Sequence, residues 1–164
     1  MLKRPTQIVF RWIPASVWMG MTFSASTSIG SAPRTSRYFE PFIRSLFPAI
    51  SPENLNLLHL IFRKGGHLTG YAILGSLLWW ALGAHFSRPE ENRRRFTLAW
   101  LIAILYAASD EFHQSFVPGR GAAATDVMID AAGAALALTA IALVLKYCIR
   151  RREPEPASVA LVSC

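Results

Sequence analysis

Residues 127–147 read VMIDAAGAALALTAIALVLKY, and this stretch decides the fold class. An α-helix needs about 20 consecutive apolar residues to cross the hydrocarbon core of a bilayer. The run has that length, and its one acid, Asp130, stands near its start. The same criterion finds further apolar runs at 12–29, at 68–86 and from Phe96 to Ser109. The last is short by itself, so its helix is expected to continue through Asp110 to Phe116. Composition agrees. Of 164 residues, 52% are hydrophobic and only 16% charged, too apolar for an ordinary soluble domain. Two cysteines, Cys148 and Cys164, exclude a disulfide scaffold. The predicted fold is therefore all-α: a polytopic membrane protein with four transmembrane helices at about 12–29, 68–86, 96–116 and 127–147. One domain covers residues 1–152, and residues 153–164 are expected to be a cytoplasmic tail without fixed structure.

The chain carries 17 Lys+Arg against 10 Asp+Glu, for a net charge of +7. In a polar chain such an excess would suggest nucleic acid; in an apolar one it sets topology, because short basic loops stay in the cytoplasm. Lys3, Arg4 and Arg11 precede span one, Arg88, Arg93, Arg94 and Arg95 separate spans two and three, and Lys146, Arg150, Arg151 and Arg152 follow span four. The opposite side holds the minority: Arg34, Arg37, Arg44, Arg63, Lys64 and Arg120. Both termini are thus predicted inside, with the excess contacting anionic lipid heads and no nucleic acid as partner. A signal peptide ending near Ser24-Ala25-Ser26 is the competing reading of the first run. Arg11 interrupts it, and the run is long for one.

The first outer loop, roughly Gly30 to Gly66, is too long for a turn. Ser51 can cap a helix that begins with Pro52, and Leu55, Leu58, His59, Ile61 and Phe62 give it an apolar face. Phe39, Phe42, Ile43, Leu46 and Phe47, with Arg44, form a second amphipathic stretch. Both are predicted as short interfacial or re-entrant helices on the outer side.

The remaining polar groups converge on the outer ends of spans two to four. Lys64, His67 and Tyr71 lie on one helical stripe, with Gly66 and Gly70 as a small-residue step beside them. Asp110, His113 and Gln114 share a face of span three, while Glu111 diverges from Asp110 by about 100°. Asp126 and Asp130 open span four, with Gly133 and Ala137 below them allowing close helix approach. Ionisable groups at membrane depth are costly unless paired, hydrated or functional. A purely structural account would pair Asp126 or Asp130 with Arg120, and Asp110 with Lys64.

As chemistry, the set divides by side-chain type. His67, Asp110, Glu111, His113 and Asp126 are candidates for proton transfer. Lys64, Tyr71, Gln114, Arg120 and Asp130 are candidates for holding a substrate, Arg120 and Lys64 through its anionic part. His67, His113, Asp110, Asp126 and Asp130 are also suitable ligands for a divalent metal, but their spacing matches no tight metal signature, so the cofactor is left open. Neither a phosphate-cradling glycine loop nor a serine nucleophile elbow is present. The inner halves of the spans lack polar residues to line a transport path.

Three blocks, Lys64-x-x-His67-x-x-x-Tyr71, Ser109-Asp110-Glu111-x-His113-Gln114-x-Phe116-x-Pro118-Gly119-Arg120, and Asp126-x-x-x-Asp130-x-x-Gly133, resemble the VanZ-like family of small bacterial membrane proteins. The family is named for a protein associated with resistance to the glycopeptide antibiotic teicoplanin. The resemblance spans roughly residues 64–135, and the middle block is its most specific part. Arg63 stands where the family often has an acid, and Asp130 where it often has Asn. The resemblance implies a multi-span helical protein of the bacterial cytoplasmic membrane with a role at the cell envelope, and in some members lowered glycopeptide susceptibility. The expected partner is a membrane lipid or a lipid-linked envelope precursor, either modified at the outer face or simply bound and shielded there.

Overall fold

Each apolar run folds as a helix. The computed structural model describes residues 5–150 apart from Ser87 and Gly119. Lys3, Arg4, Arg151, Arg152 and the expected tail at 153–164 lie outside the described residues, as does the glycine of the Pro118-Gly119 turn. Five α-helices follow one another: α1 (Pro5–Ser26), α2 (Ala32–Leu46), α3 (Pro52–Leu82), α4 (Asn92–Gln114) and α5 (Ala124–Arg150). No strand occurs among the described residues.

The main departure from expectation is in α3. The predicted interfacial helix at 51–62 and the predicted span at 68–86 are one continuous helix, ending at Leu82. Its start is as the sequence suggested: the Ser51 hydroxyl accepts from the Asn54 N–H at 3.3 Å, and Pro52 occupies the first turn. Gly65 and Gly66 do not break it. A helical glycine costs about 1 kcal/mol relative to alanine, and tertiary anchors on both sides outweigh that: Lys64 pairs with Asp126, and the Trp18 indole N–H donates to the Gly70 carbonyl at 2.9 Å. Helix α4 does continue past Ser109 to Gln114. Helix α1 begins at Pro5 and ends at Ser26, three residues short of the predicted limit.

Helix α3 is the centre of the bundle, packed against α1, α4 and α5, while α2 lies only on α3 and on the short turn Ser28–Gly30. The interior is built from small residues. Ala15, Ala99, Ala103, Ala107 and Ala134 are wholly buried, joined by Leu74, Leu78 and Leu138, whereas Val17, Leu105, Leu136 and Leu143 are more than half exposed. Many large apolar side chains thus face outward while alanines occupy much of the interior. It is the arrangement by which helices approach closely where surrounding lipid removes the hydrophobic drive between them. The α3–α5 contact is the closest: a Cβ at Gly133 would collide with the Leu68 carbonyl, and one at Gly75 would sit 3.1 Å from the Ala134 Cα. The stretch Ala124–Cys148 is long and apolar enough to cross a membrane, with only 22% of its most apolar window buried within the fold.

At the end of the bundle where α1 begins, Arg95 donates from Nε to the Trp79 carbonyl at 2.7 Å and lies 4.0 Å from the Trp79 ring centre. Arg11 stands over Trp80. This basic, aromatic end is opposite the end where the acids collect.

Candidate functional site

At the end of α1, apolar helix gives way to hydroxyls. Thr22 bonds back to the carbonyls of Trp18 and Met19, and Ser24 to that of Gly20, the usual recourse of a hydroxyl on an apolar helix. Ser26 instead points inward. It is 5% exposed and donates to Asp110 Oδ2 at 2.6 Å. Gln114, one turn beyond Asp110 on α4, donates to the same oxygen at 3.2 Å and to the Ser26 hydroxyl at 3.3 Å. Its own carbonyl accepts from Arg120 Nη1 at 3.0 Å, while Arg120 Nη2 reaches the backbone carbonyls of Ala25 and Thr27. Asp110, Ser26, Gln114 and Arg120 thus clasp α1, α4 and the loop before α5.

Beside this clasp lies a cleft of about 330 Å³ between the end of α1 and the middle of α3. Its polar lining includes Ser26, Arg63, His67, Tyr71, Asp110 and Arg120. Four buried side-chain polar atoms in the described residues have no hydrogen-bond partner: Tyr71 Oη, Asp110 Oδ1, Arg120 Nε and His113 Nδ1. The first three belong to residues that line the cleft. Leaving such atoms bare costs about 1–3 kcal/mol each, so the residues around the cleft carry hydrogen-bonding capacity that folding leaves unused. Burial lowers the Arg120 guanidinium below its ordinary pKa, and neighbouring Arg63 adds to the effect; Asp110, Glu111 and Asp126 oppose it.

The sequence-predicted residues divide between this cleft and its surroundings. His67, Tyr71, Asp110 and Arg120 are brought together on it. Lys64 and Asp126 form an ion pair of their own between α3 and α5. His67 Nδ1 lies 3.1 Å from Asp130 Oδ1, with Asp130 only 1% exposed. These pairings replace the structural scheme expected from sequence, in which Arg120 and Lys64 took the opposite acids. Glu111 turns away from Asp110 and accepts the Ala123 N–H at the entrance to α5. Gln114 acts in the clasp. His113 does not join the set, since its ring stacks on Phe23 with centres 4.5 Å apart.

Gly66 and Gly70 also depart from expectation. They are not a helix-packing step: a Cβ at either would meet nothing within 4 Å, and both line the cleft. Helix packing falls instead to Gly75 and Gly133. Among the described residues no three His, Cys, Asp or Glu side chains gather as a metal site. The metal-ligand candidates are spread over separate pairs.

Ser26 and Arg63, with Thr22 and Thr35, are cleft residues that sequence reasoning missed. Ser26 lay in what read as the end of an apolar run, and Arg63 read as a side chain reaching for headgroups. The one available signal was that α1 loads Thr22, Ser24, Ser26 and Thr27 onto a single helix end.

No curated protein and no solved structure matches the chain. The VanZ/LLP1 family matches over residues 10–146, which takes in α2, α3 and α4 whole, most of α1 and α5, and every residue of the cleft. With the apolar, sparsely buried α5, this points to a membrane protein. The chain belongs to the VanZ/LLP1 family.

Proposed function

We propose that the chain is a four-span protein of the bacterial cytoplasmic membrane, with α1, the second half of α3, α4 and α5 crossing and both termini inside. Its cleft, on the outer side, binds the polar head of an anionic amphiphile of the envelope, such as a lipid-linked wall precursor. The observation that carries this reading is the set of three unpartnered buried polar atoms on one cavity. Tyr71 Oη–H and Arg120 Nε–H are donors without acceptors, and Asp110 Oδ1 is an acceptor without a donor. A headgroup that offers both an anionic oxygen and a hydroxyl matches all three once a side-chain shift opens these buried atoms to the cleft. Arg63 and Arg120 favour negative charge, and the exposed apolar residues of α2 and early α3, among them Phe42, Leu46, Leu57 and Phe62, suit an acyl or polyprenyl chain beside it. Occupying such a headgroup would lower the concentration of glycopeptide target or shield it, and so reduce susceptibility.

The test is native mass spectrometry of the full chain in nanodiscs offered phosphatidylglycerol or a polyprenyl pyrophosphate. Gly70→Leu, which fills the cleft from a position with free space around it, should abolish the retained adduct, and Tyr71→Phe should weaken it. Equal binding by Gly70→Leu and the parent would refute the reading. Topology has its own check: with Cys148 and Cys164 changed to serine, Gly121→Cys should react with an impermeant maleimide on intact cells.

A further inference from the structure

Histidine 67 differs from the other histidines in how it is held. We propose that His67 is the proton acceptor of the cleft and Asp130 its positioning residue, so that the site performs acid–base chemistry on a hydroxyl of the bound headgroup. This rests on the headgroup reading above. A carboxylate oxygen can only accept, so across the 3.1 Å contact the ring donates from Nδ1 to Asp130. That fixes the tautomer: Nε2 carries the lone pair. Among the described residues no hydrogen bond occupies Nε2, and His67 lines the cleft.

The alternatives do not have this arrangement. His59 is engaged through Nε2 with the Thr35 hydroxyl at 3.0 Å, and His113 leaves Nδ1 buried and bare. The other carboxylates of the cluster are committed elsewhere, Asp126 to Lys64, Glu111 to the Ala123 N–H and Asp110 to Ser26 and Gln114. Asp130 is held on α5 directly across from His67 on α3, where the close approach at Gly133 fixes the distance between the two helices.

The step is a single proton transfer. The ligand's O–H bond breaks, the proton forms an N–H bond at Nε2, and the oxygen keeps the electron pair. The resulting imidazolium is stabilised by the Asp130 carboxylate, and Tyr71 and Arg120 of the same cleft supply donors for the oxygen. An asparagine at this position could not do the same. Its amide can donate to Nδ1 and select the wrong tautomer, and it supplies no charge to the imidazolium.

Nitrogen NMR of ¹⁵N-histidine-labelled full chain in nanodiscs tests it. The parent should show His67 with Nδ1 protonated and Nε2 bare, Asp130→Asn should populate the opposite tautomer, and Asp130→Glu should restore the first. Adding phosphatidylglycerol, which carries hydroxyls, should move the Nε2 resonance and slow diethylpyrocarbonate modification of His67, while phosphatidylcholine should do neither. A parent with Nε2 protonated, or a tautomer unmoved in Asp130→Asn, overturns the proposal. Phosphatidylglycerol bound by native mass spectrometry without effect on Nε2 overturns the proton-acceptor role and leaves headgroup binding standing. Absence of any bound lipid removes both.

Discussion

Replacing Gly133 by alanine adds one methyl group where α5 crosses α3, and the structure fixes what that methyl meets. Its Cβ would collide with the Leu68 carbonyl oxygen, with the Leu68 carbonyl carbon at 3.0 Å and Cα at 3.1 Å. All three are backbone atoms of a helix, so no side-chain rotation relieves them. Two turns along α3, a Cβ at Gly75 would also sit close to Ala134, at 3.1 Å from its Cα, so the helices are held near each other at two points. Overpacking of this kind costs about 1–3 kcal/mol, and alanine returns about 1 kcal/mol of helix propensity. The net expectation is a loss of up to about 2 kcal/mol, from those two contributions. Gly65→Ala is the control: nothing lies within 4 Å of its Cβ position, so it should gain up to about 1 kcal/mol. Unfolding in mixed micelles by SDS, followed by tryptophan fluorescence, measures both. Because Asp130 lies one turn before Gly133 and His67 is adjacent to Leu68, Gly133→Ala should also loosen the His67–Asp130 contact. A Gly133→Ala protein as stable as Gly65→Ala would refute the claim that α3 and α5 touch backbone to backbone.

Two further outcomes follow from single contacts. Ser26→Ala removes a donor to buried Asp110 and an acceptor for Gln114, and should cost about 1–3 kcal/mol; Ser26→Thr, which keeps the hydroxyl, should recover most of it, and an unchanged micelle-unfolding midpoint in the alanine variant would count against the clasp. His59 joins α2 to α3 through Thr35 and stacks on Phe39, and partial burial lowers its pKa below 6.5, with Arg63 adding to the effect and Glu40 opposing it. The folded state therefore disfavours the proton relative to the unfolded one, so the contact is at full strength above pH 6.5 and weakens as pH falls through and below that value. Hydrogen exchange of α2, corrected for intrinsic rate, should rise on acidification in the parent and stay level in His59→Gln.

The helical class, the approximate runs and the N-terminus of α3 were legible because they depend on local chemistry: apolar length, and a serine followed by proline. Continuity of α3 was not, since nothing local reveals that Lys64 would be tethered to Asp126 and Gly70 to Trp18. For the site, motif spacing found the residues but not their partners. Lys64, His67 and Tyr71 share a stripe, yet α5 takes the first two through Asp126 and Asp130, while Tyr71 keeps a bare hydroxyl. Partner choice depends on helix rotation and separation, which here are set by two glycines, Gly75 and Gly133, whose roles a sequence pattern could only suggest. The glycines that did form a sequence pattern, Gly66 and Gly70, have open space above them and leave room for the cleft.

Four of the ten acids lie in this cluster, and their partners separate structure from chemistry. Asp126 has a full countercharge in Lys64, and Glu111 sits at a backbone N–H that begins a helix; both are closed arrangements, in which a buried charge is matched inside the chain. Asp110 and Asp130 are closed on one side only. Asp110 spends Oδ2 on Ser26 and Gln114 and keeps Oδ1 bare, and Asp130 is matched to a ring whose second nitrogen has no partner. If the cluster served stability alone, a second closed pair would serve as well as these half-satisfied ones, since an incomplete buried network is worse than none. Asp110 and the His67 ring that Asp130 holds line the same cleft, at the end of the bundle opposite the arginines that stack on Trp79 and Trp80. Function is therefore to be sought in the atoms that folding leaves unfinished: Asp110 Oδ1, Tyr71 Oη, Arg120 Nε and His67 Nε2.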